Sequence, residues 1–232
     1  MRVLVTAGNT REMIDRVRDW GNIFTGNTGF SIAKAVSEVA DVDLLTSSQQ
    51  HIEEASKVPH IRAAGFKSHA ELRGALTALM SQHRYDAIFM TAAVADYQPV
   101  RTFAVLDRRP GRVEGQEQWV VQDVQAGKVK STHPSIAILG RQTEKLVDLF
   151  RTEWKHEGLL IRFKLEVGIP RDELVRIGQQ SRKASGANYL VANTLDMVTG
   201  DDAGAYLLSD DGEEWVPRAK LASRLVVLLP KT

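Results

Sequence analysis

Short apolar runs alternate with helix-length amphipathic stretches along most of this 232-residue chain. That alternation constrains the fold more than any single residue does. Residues 1–6 (MRVLVT), 42–46 (VDLLT), 86–91 (DAIFMT), 159–165 (LLIRFKL) and 189–192 (YLVA) read as strands, largely apolar on both faces. A strand with one wet face would alternate polar and apolar residues. Runs apolar on both faces belong to a parallel sheet covered by helices. The intervening segments supply those helices. Residues 29–40 put Ile32, Val36, Val39 and Ala40 on one stripe, and Ser68-x-x-Glu71 is a capping box opening a helix whose face carries Leu72, Ala75, Leu76, Leu79 and Met80. Regularity returns at 135–139, followed by a helix on which Leu146, Leu149, Phe150 and Trp154 share a face. Pro170 marks a helix start and Gly186 lies just past its end. A last helix, about 220–229, stacks Leu221, Leu225, Leu228 and Leu229. The expectation is an α/β fold: a Rossmann-like, mostly parallel sheet flanked by helices.

Two stretches depart from the pattern. Residues 97–132 hold two prolines, three glycines and many charges, with only 103–106 and 119–121 strand-like, and read as an extended flap or hairpin. Residues 205–208 and 214–216 flank Ser209-Asp210-Asp211-Gly212 and read as a hairpin. There is no internal repeat and no low-complexity linker, so a single domain over 1–232 with an extension at about 97–132 is expected.

Composition excludes several classes. Thirty Lys and Arg against twenty-nine Asp and Glu leave a net charge of +1, so no global field draws nucleic acid or an anionic membrane. No run is long enough for a membrane span, and the N-terminus turns polar at Thr6, too early for a signal peptide. A cytoplasmic location is the default. With no cysteine, thiolate chemistry is absent, and the six histidines lack ligand spacing, so no metal site is expected.

Chemistry is sought beyond the carboxyl ends of the strands, where parallel sheets bind ligands. Four such ends carry polar or small residues: Gly8-Asn9-Thr10-Arg11, Ala92-Ala93-Val94-Ala95-Asp96, Lys164-x-Glu166 and Asn193. Gly26-x-x-Gly29 at a helix entry suits phosphate, because close backbone approach needs small residues where the helix dipole is positive. Each feature alone has an ordinary reading as well. Gly8-Asn9 can be a plain turn, Asp96 a cap, Arg11, Arg16 and Arg18 solvated surface charges, and Lys128-Val129-Lys130 a solvated pair.

The order of the motifs is more specific. The chain reads TAGNTREMIDRVR at 6–18, Asn22 followed by Gly26-Asn-Thr-Gly29, AAVADYQP at 92–99, KVKS at 128–131, FKLE at 163–166 and VAN at 191–193. Together these resemble the phosphopantothenoylcysteine synthetase family, the ligase of coenzyme A biosynthesis, in its stand-alone form without a decarboxylase half. Against the family pattern, Asn9 stands where a second Gly is common, Met13 and Arg16 replace prolines and Asn27 replaces a basic residue.

The resemblance implies a homodimeric ligase that joins 4′-phosphopantothenate to L-cysteine at the expense of CTP or ATP with Mg²⁺, through an acyl-nucleotidyl intermediate. It implies catalytic roles for Lys128, on the transferring phosphoryl charge, and for Asn22, on the acyl intermediate. Gly8, Asn9, Thr10, Arg11, Ala92, Ala93, Asp96, Lys130 and Phe163 fall to the nucleotide, and Asn22, Gly26, Ala93 and Asn193 to the substrate. Two alternatives stand beside it: an NAD(P)-dependent oxidoreductase, although no G-x-G-x-x-G turn is present, and a non-catalytic homologue that binds nucleotide or phosphopantothenate.

Overall fold

A computed structural model describes residues 1–200 and 203–231. The chain opens with β1 (Arg2–Ala7), a small antiparallel ribbon of β2 (Arg11–Met13) and β3 (Asp19–Gly21), and helix α1 (Asn27–Ser37). There follow β4 (Asp41–Thr46), α2 (Gln49–Ala55), β5 (Ile61–Gly65), α3 (His69–Gln82) and β6 (Ala87–Met90). An excursion of three strands comes next, β7 (Tyr97–Pro110), β8 (Glu117–Asp123) and β9 (Ile136–Gln142). The chain then returns through α4 (Leu146–Thr152), β10 (Leu159–Glu166), α5 (Arg171–Ala184) and β11 (Tyr189–Thr194). It closes with β12 (Gly204–Ser209), β13 (Gly212–Pro217) and α6 (Arg218–Val226).

Eight strands form one sheet in the order β13-β12-β11-β10-β6-β1-β4-β5. From β11 to β5 every pairing is parallel, and β12 and β13 add an antiparallel edge. The parallel part follows from strands buried on both sides. Val3, Val5 and Ala7 of β1 face α1 and α6 with Phe30, Val36, Leu221 and Leu225, while Leu4 faces the opposite layer with Leu72, Leu76, Phe150 and Leu160. Leu174 of α5 closes a third cluster over Leu190 and Leu208. The chain runs outward from β1 to β5 and then returns to place β6 on the other side of β1, so the strand order reverses between β1 and β6. Reversal points of this kind leave a crevice at the carboxyl ends of the strands.

The helix ends shift from the sequence expectations for local reasons. Helix α1 stops at Ser37, where the Val39 N–H bonds back to the Val36 carbonyl, leaving Val39 55% exposed rather than on the buried stripe. Helix α6 begins two residues earlier than expected, directly after Pro217, and Leu228 and Leu229 follow it as a turn. Residues 61–65 form a strand that the sequence reading missed, because only Ile61 is buried at this sheet edge.

The β7–β9 arm is a separate three-stranded antiparallel sheet in the order β8-β7-β9. Its apolar positions are interrupted by Arg101, Asp107, Arg108 and Arg109, so only fragments of the fourteen-residue β7 look like a strand in the sequence. No helix among the described residues is long and apolar enough to cross a membrane.

Candidate functional site: an anion cradle at the sheet reversal

The site begins with two close approaches. Gly8 after β1 has φ +89° and Gly26 before α1 has φ +86°, a left-handed region that side chains rarely adopt. A Cβ on Gly26 would stand 2.1 Å from the Gly8 nitrogen, and one on Gly29 would stand 2.2 Å from Thr91 Oγ1. These small residues let α1 enter against the end of β1 and β6. Gly26 caps α1 without a side-chain hydrogen bond, and the first turn carries no acidic residue. The leading N–H groups of α1 are therefore free of intrahelical partners, with the positive end of the dipole behind them.

Hydrogen bonds lock the facing loop. Thr6 Oγ1 accepts from the N–H groups of Thr91 and Ala92, each at 3.1 Å, and Thr91 Oγ1 donates to the Thr6 carbonyl. The Ala93 N–H donates to the Gly8 carbonyl at 2.8 Å, while the Ala93 carbonyl accepts from Thr10 N–H and from Asn22 Nδ2, both at 3.2 Å. Asn9 Nδ2 in turn donates to the Asn22 carbonyl, and Ser47 Oγ accepts from the Asn9 N–H at 2.9 Å. Asn9 thus does work that a glycine cannot: its amide ties the residue-22 loop to the end of β1.

A cleft of about 310 Å³ opens here, between the entry to α1 and the ends of β6, β10 and β11. Gly8, Gly26, Ala92, Ala93, Phe163 and Asn193, all among the residues named from the sequence, line it. Asn9, Arg11 and Asn22 line an adjoining cleft of about 550 Å³, which shares residues 23–25 with the first. Thr10 is buried, and its Oγ1 accepts from the Ala95 N–H at 2.8 Å, so its side chain supports the site from beneath. Asp96, Lys128 and Lys130 line neither cleft. Asp96 is exposed where the arm begins, its carbonyl accepting from Thr143 N–H at 2.9 Å, and the two lysines are exposed on the loop that follows β8.

Two cations in the lining were given no role from the sequence. Lys164 sits on β10 with its Nζ 2.9 Å from Glu166, and Arg218 comes from α6, its guanidinium 3.5 Å from Thr28 Oγ1. Lys164 was visible as a strand-end residue. Arg218 was not, because its partner lies 190 positions away. Behind the cradle, His51 stacks on Phe30 at 4.5 Å and its Nε2 is 3.1 Å from Asn27 Oδ1; burial pushes its pKa below the usual imidazole value. Asp15 is held well below the usual carboxylate range, first by its hydrogen bonds from Arg18 and then by the Val17 N–H. Among the described residues no three His, Asp or Glu side chains gather in a way that could hold a metal ion.

Fold and site together define an α/β protein whose candidate site is the N-terminus of a helix at the reversal of a mostly parallel sheet, the kind of place that suits an anion. Comparison with known proteins gives the particular kinship. Residues 1–105 match the family described as DNA/pantothenate metabolism flavoprotein C-terminal domain. The chain is homologous to the coenzyme A biosynthesis bifunctional protein CoaBC. It is 27% identical to the Thermococcus kodakarensis protein over 231 residues (97% of this chain, 49% of the relative) and 26% identical to the Mycolicibacterium smegmatis protein over 226 residues (92% and 48%). The chain therefore spans about half the length of these curated relatives.

The fold is shared with the DNA/pantothenate metabolism flavoprotein from Streptococcus pneumoniae, with TM-score 0.78, 24% identity and coverage of 98% of this chain and 97% of that one. It is shared also with a Cab2 variant in complex with phosphopantothenate-cysteine, with TM-score 0.70, 13% identity and coverage of 97% and 85%.

Proposed function

We propose that this chain is a phosphopantothenate–cysteine ligase of coenzyme A biosynthesis, driven by CTP or ATP and working as a cytoplasmic homodimer. The observation that carries the reading is the cradle: the leading N–H groups of α1, two left-handed glycines in contact, Lys164 within the FKLE motif, and Arg218 reaching in from α6. Such an arrangement suits a polyphosphate, since fixed N–H dipoles and cations hold several negative charges at once. Homology to CoaBC, and the likeness in fold to a protein crystallised with phosphopantothenate-cysteine, support the choice of substrate.

The chemistry follows from charge. A carboxylate oxygen of phosphopantothenate attacks the α-phosphorus, the bond to the β-phosphate oxygen breaks, and pyrophosphate leaves. The cysteine amine then attacks the acyl carbon, the nucleoside monophosphate departs, and the amine loses a proton. The first step brings anion against anion, so its barrier falls when cations and N–H donors hold the charge that moves to the departing phosphates. Mg²⁺ would enter on the phosphates, where a hard cation keeps oxygen ligands and neutralises charge. Lys128 supplies phosphoryl charge stabilisation in this reading. Asn22 faces the adjoining cleft and meets the acyl intermediate.

Lys128 stands outside both clefts of a single chain, which is one reason to propose a dimer. The arm offers the surface: Leu106, Trp119, Val120, Val121 and Leu139 are each at least 41% exposed on its strands. A nicotinamide cofactor is less well served, because seventeen residues separate Gly8 from Gly26 where a dinucleotide turn would run directly into the helix.

The test is pyrophosphate release in the presence of phosphopantothenate and each nucleotide. Release that requires phosphopantothenate and falls at least about a hundredfold in Lys128→Ala is the expected result. Asn22→Asp should still release pyrophosphate but form little amide product. Full ligation by that variant removes Asn22 from its role.

A further inference from the structure

We infer that Asp15 is a positioning residue: with Arg18 it forms a latch that holds residues 125–129 against the 14–18 loop and thereby fixes where Lys128 and Lys130 stand. The inference rests on the ligase reading above. It starts from the fact that the lysine loop belongs to no strand or helix of the structure, so no backbone ladder holds it.

What holds it is a set of bonds across more than a hundred residues. The Asp15 side chain is fully buried. Its Oδ1 accepts from the N–H groups of Val17 at 2.8 Å and Arg18 at 2.9 Å, and its Oδ2 accepts from Arg18 Nε at 3.0 Å and Nη2 at 2.5 Å. The same Oδ2 accepts from the Val129 N–H at 3.1 Å, and Arg18 Nη2 donates to the Val129 carbonyl at 2.7 Å. Val129 is thus gripped on both sides of its backbone, and the residue is only 2% exposed. Two further bonds extend the seam: Arg16 N–H to the Gly127 carbonyl at 3.0 Å, and Gln125 Nε2 to the Ile14 carbonyl at 3.1 Å.

A buried carboxylate is costly unless its lone pairs are filled, and here five donors fill them. The outcome is a fixed Val129 with two free lysine side chains on either side. Anchoring the backbone while leaving the ammonium groups in solvent removes part of the ordering cost of bringing a flexible charge to a phosphate. The latch also starts only four residues after Arg11 and ends four before Asn22. Both lysines are therefore tethered to the segment that lines the second cleft, so their charges and the Asn22 loop keep a common frame.

The experiment uses the full chain and the variant Asp15→Asn, which keeps the side-chain shape but removes the charge and one acceptor. Two readouts are taken: the rate of trypsin cleavage after Lys128 and Lys130, and steady-state pyrophosphate release with phosphopantothenate and nucleotide. The latch predicts cleavage at those two sites faster by about tenfold or more, and kcat lower by about ten- to a hundredfold with nucleotide KM within about threefold. Unchanged cleavage, or a raised KM with kcat intact, overturns it. If Asp15→Asn does not fold, Arg18→Lys keeps the charge, loses the fork that reaches Val129, and must give the same pair of changes. Should the unaltered protein release no pyrophosphate, the ligase reading falls, while the cleavage rates still decide whether the latch exists.

Discussion

At the scale of single residues, the backbone contact between Gly8 and Gly26 is the least replaceable feature of the site. Gly26→Ala would put a Cβ within 2.1 Å of the Gly8 nitrogen at a positive φ, so the α1 entry must move. A cost of about 1–3 kcal/mol is expected, a fall of several degrees in the thermal midpoint of a domain this size, together with loss of nucleotide binding. Thermal unfolding and a binding titration check both. The buried histidines give a second prediction. His51 and His156 are held below the usual imidazole value chiefly by burial, so the fold keeps them neutral while the unfolded chain takes up protons below about pH 6.5. The unfolded state then binds more protons, and stability falls as pH drops through that region. Thermal midpoints at pH 7.5 and 5.5 should differ, and replacing both histidines with Gln should shrink the difference; an unchanged slope contradicts this. Gly8, Gly26 and Ala93 were legible because their types report backbone approach at strand ends. Arg218, Ser47 and the pairing of Asp15 with Val129 were not, since those contacts depend on which distant segments the fold brings together.

At the scale of elements, α1 carries the binding argument. Its first turn has no acidic residue, and Asn27→Asp places a carboxylate there. Charge at a helix N-terminus stabilises the helix but competes with any anion at the same N–H groups. Unchanged or slightly raised stability with nucleotide affinity about tenfold weaker is therefore expected; equal affinity would mean that the phosphates lie elsewhere. The central strands were readable because burial on both faces leaves unbroken apolar runs, and α5 because Pro170 and Gly186 punctuate it. The β2–β3 ribbon and α2 escaped detection. The ribbon's strands have three residues each, too few for a period, and α2 buries only His51 and Ala55. The arm was legible only as a break in the pattern, because its long strands lie largely in solvent and carry charges on both faces.

At the scale of the whole molecule, the arm carries the lysine loop between β8 and β9 and presents an exposed apolar surface. If the active unit is a pair of chains, Trp119→Glu together with Val121→Glu should convert a dimer to a monomer in sedimentation and lower activity at least about tenfold. A monomeric unaltered protein with full activity would remove the dimer from the account. The central claim is that the cradle holds a nucleoside triphosphate beside a carboxylate that is activated on it. The most direct measurement omits cysteine altogether: protein, phosphopantothenate and CTP or ATP are mixed rapidly, and pyrophosphate is followed during the first turnover. The account predicts a burst of about one pyrophosphate per site that requires phosphopantothenate. No burst with either nucleotide, at protein concentrations where both ligands are bound, would contradict it.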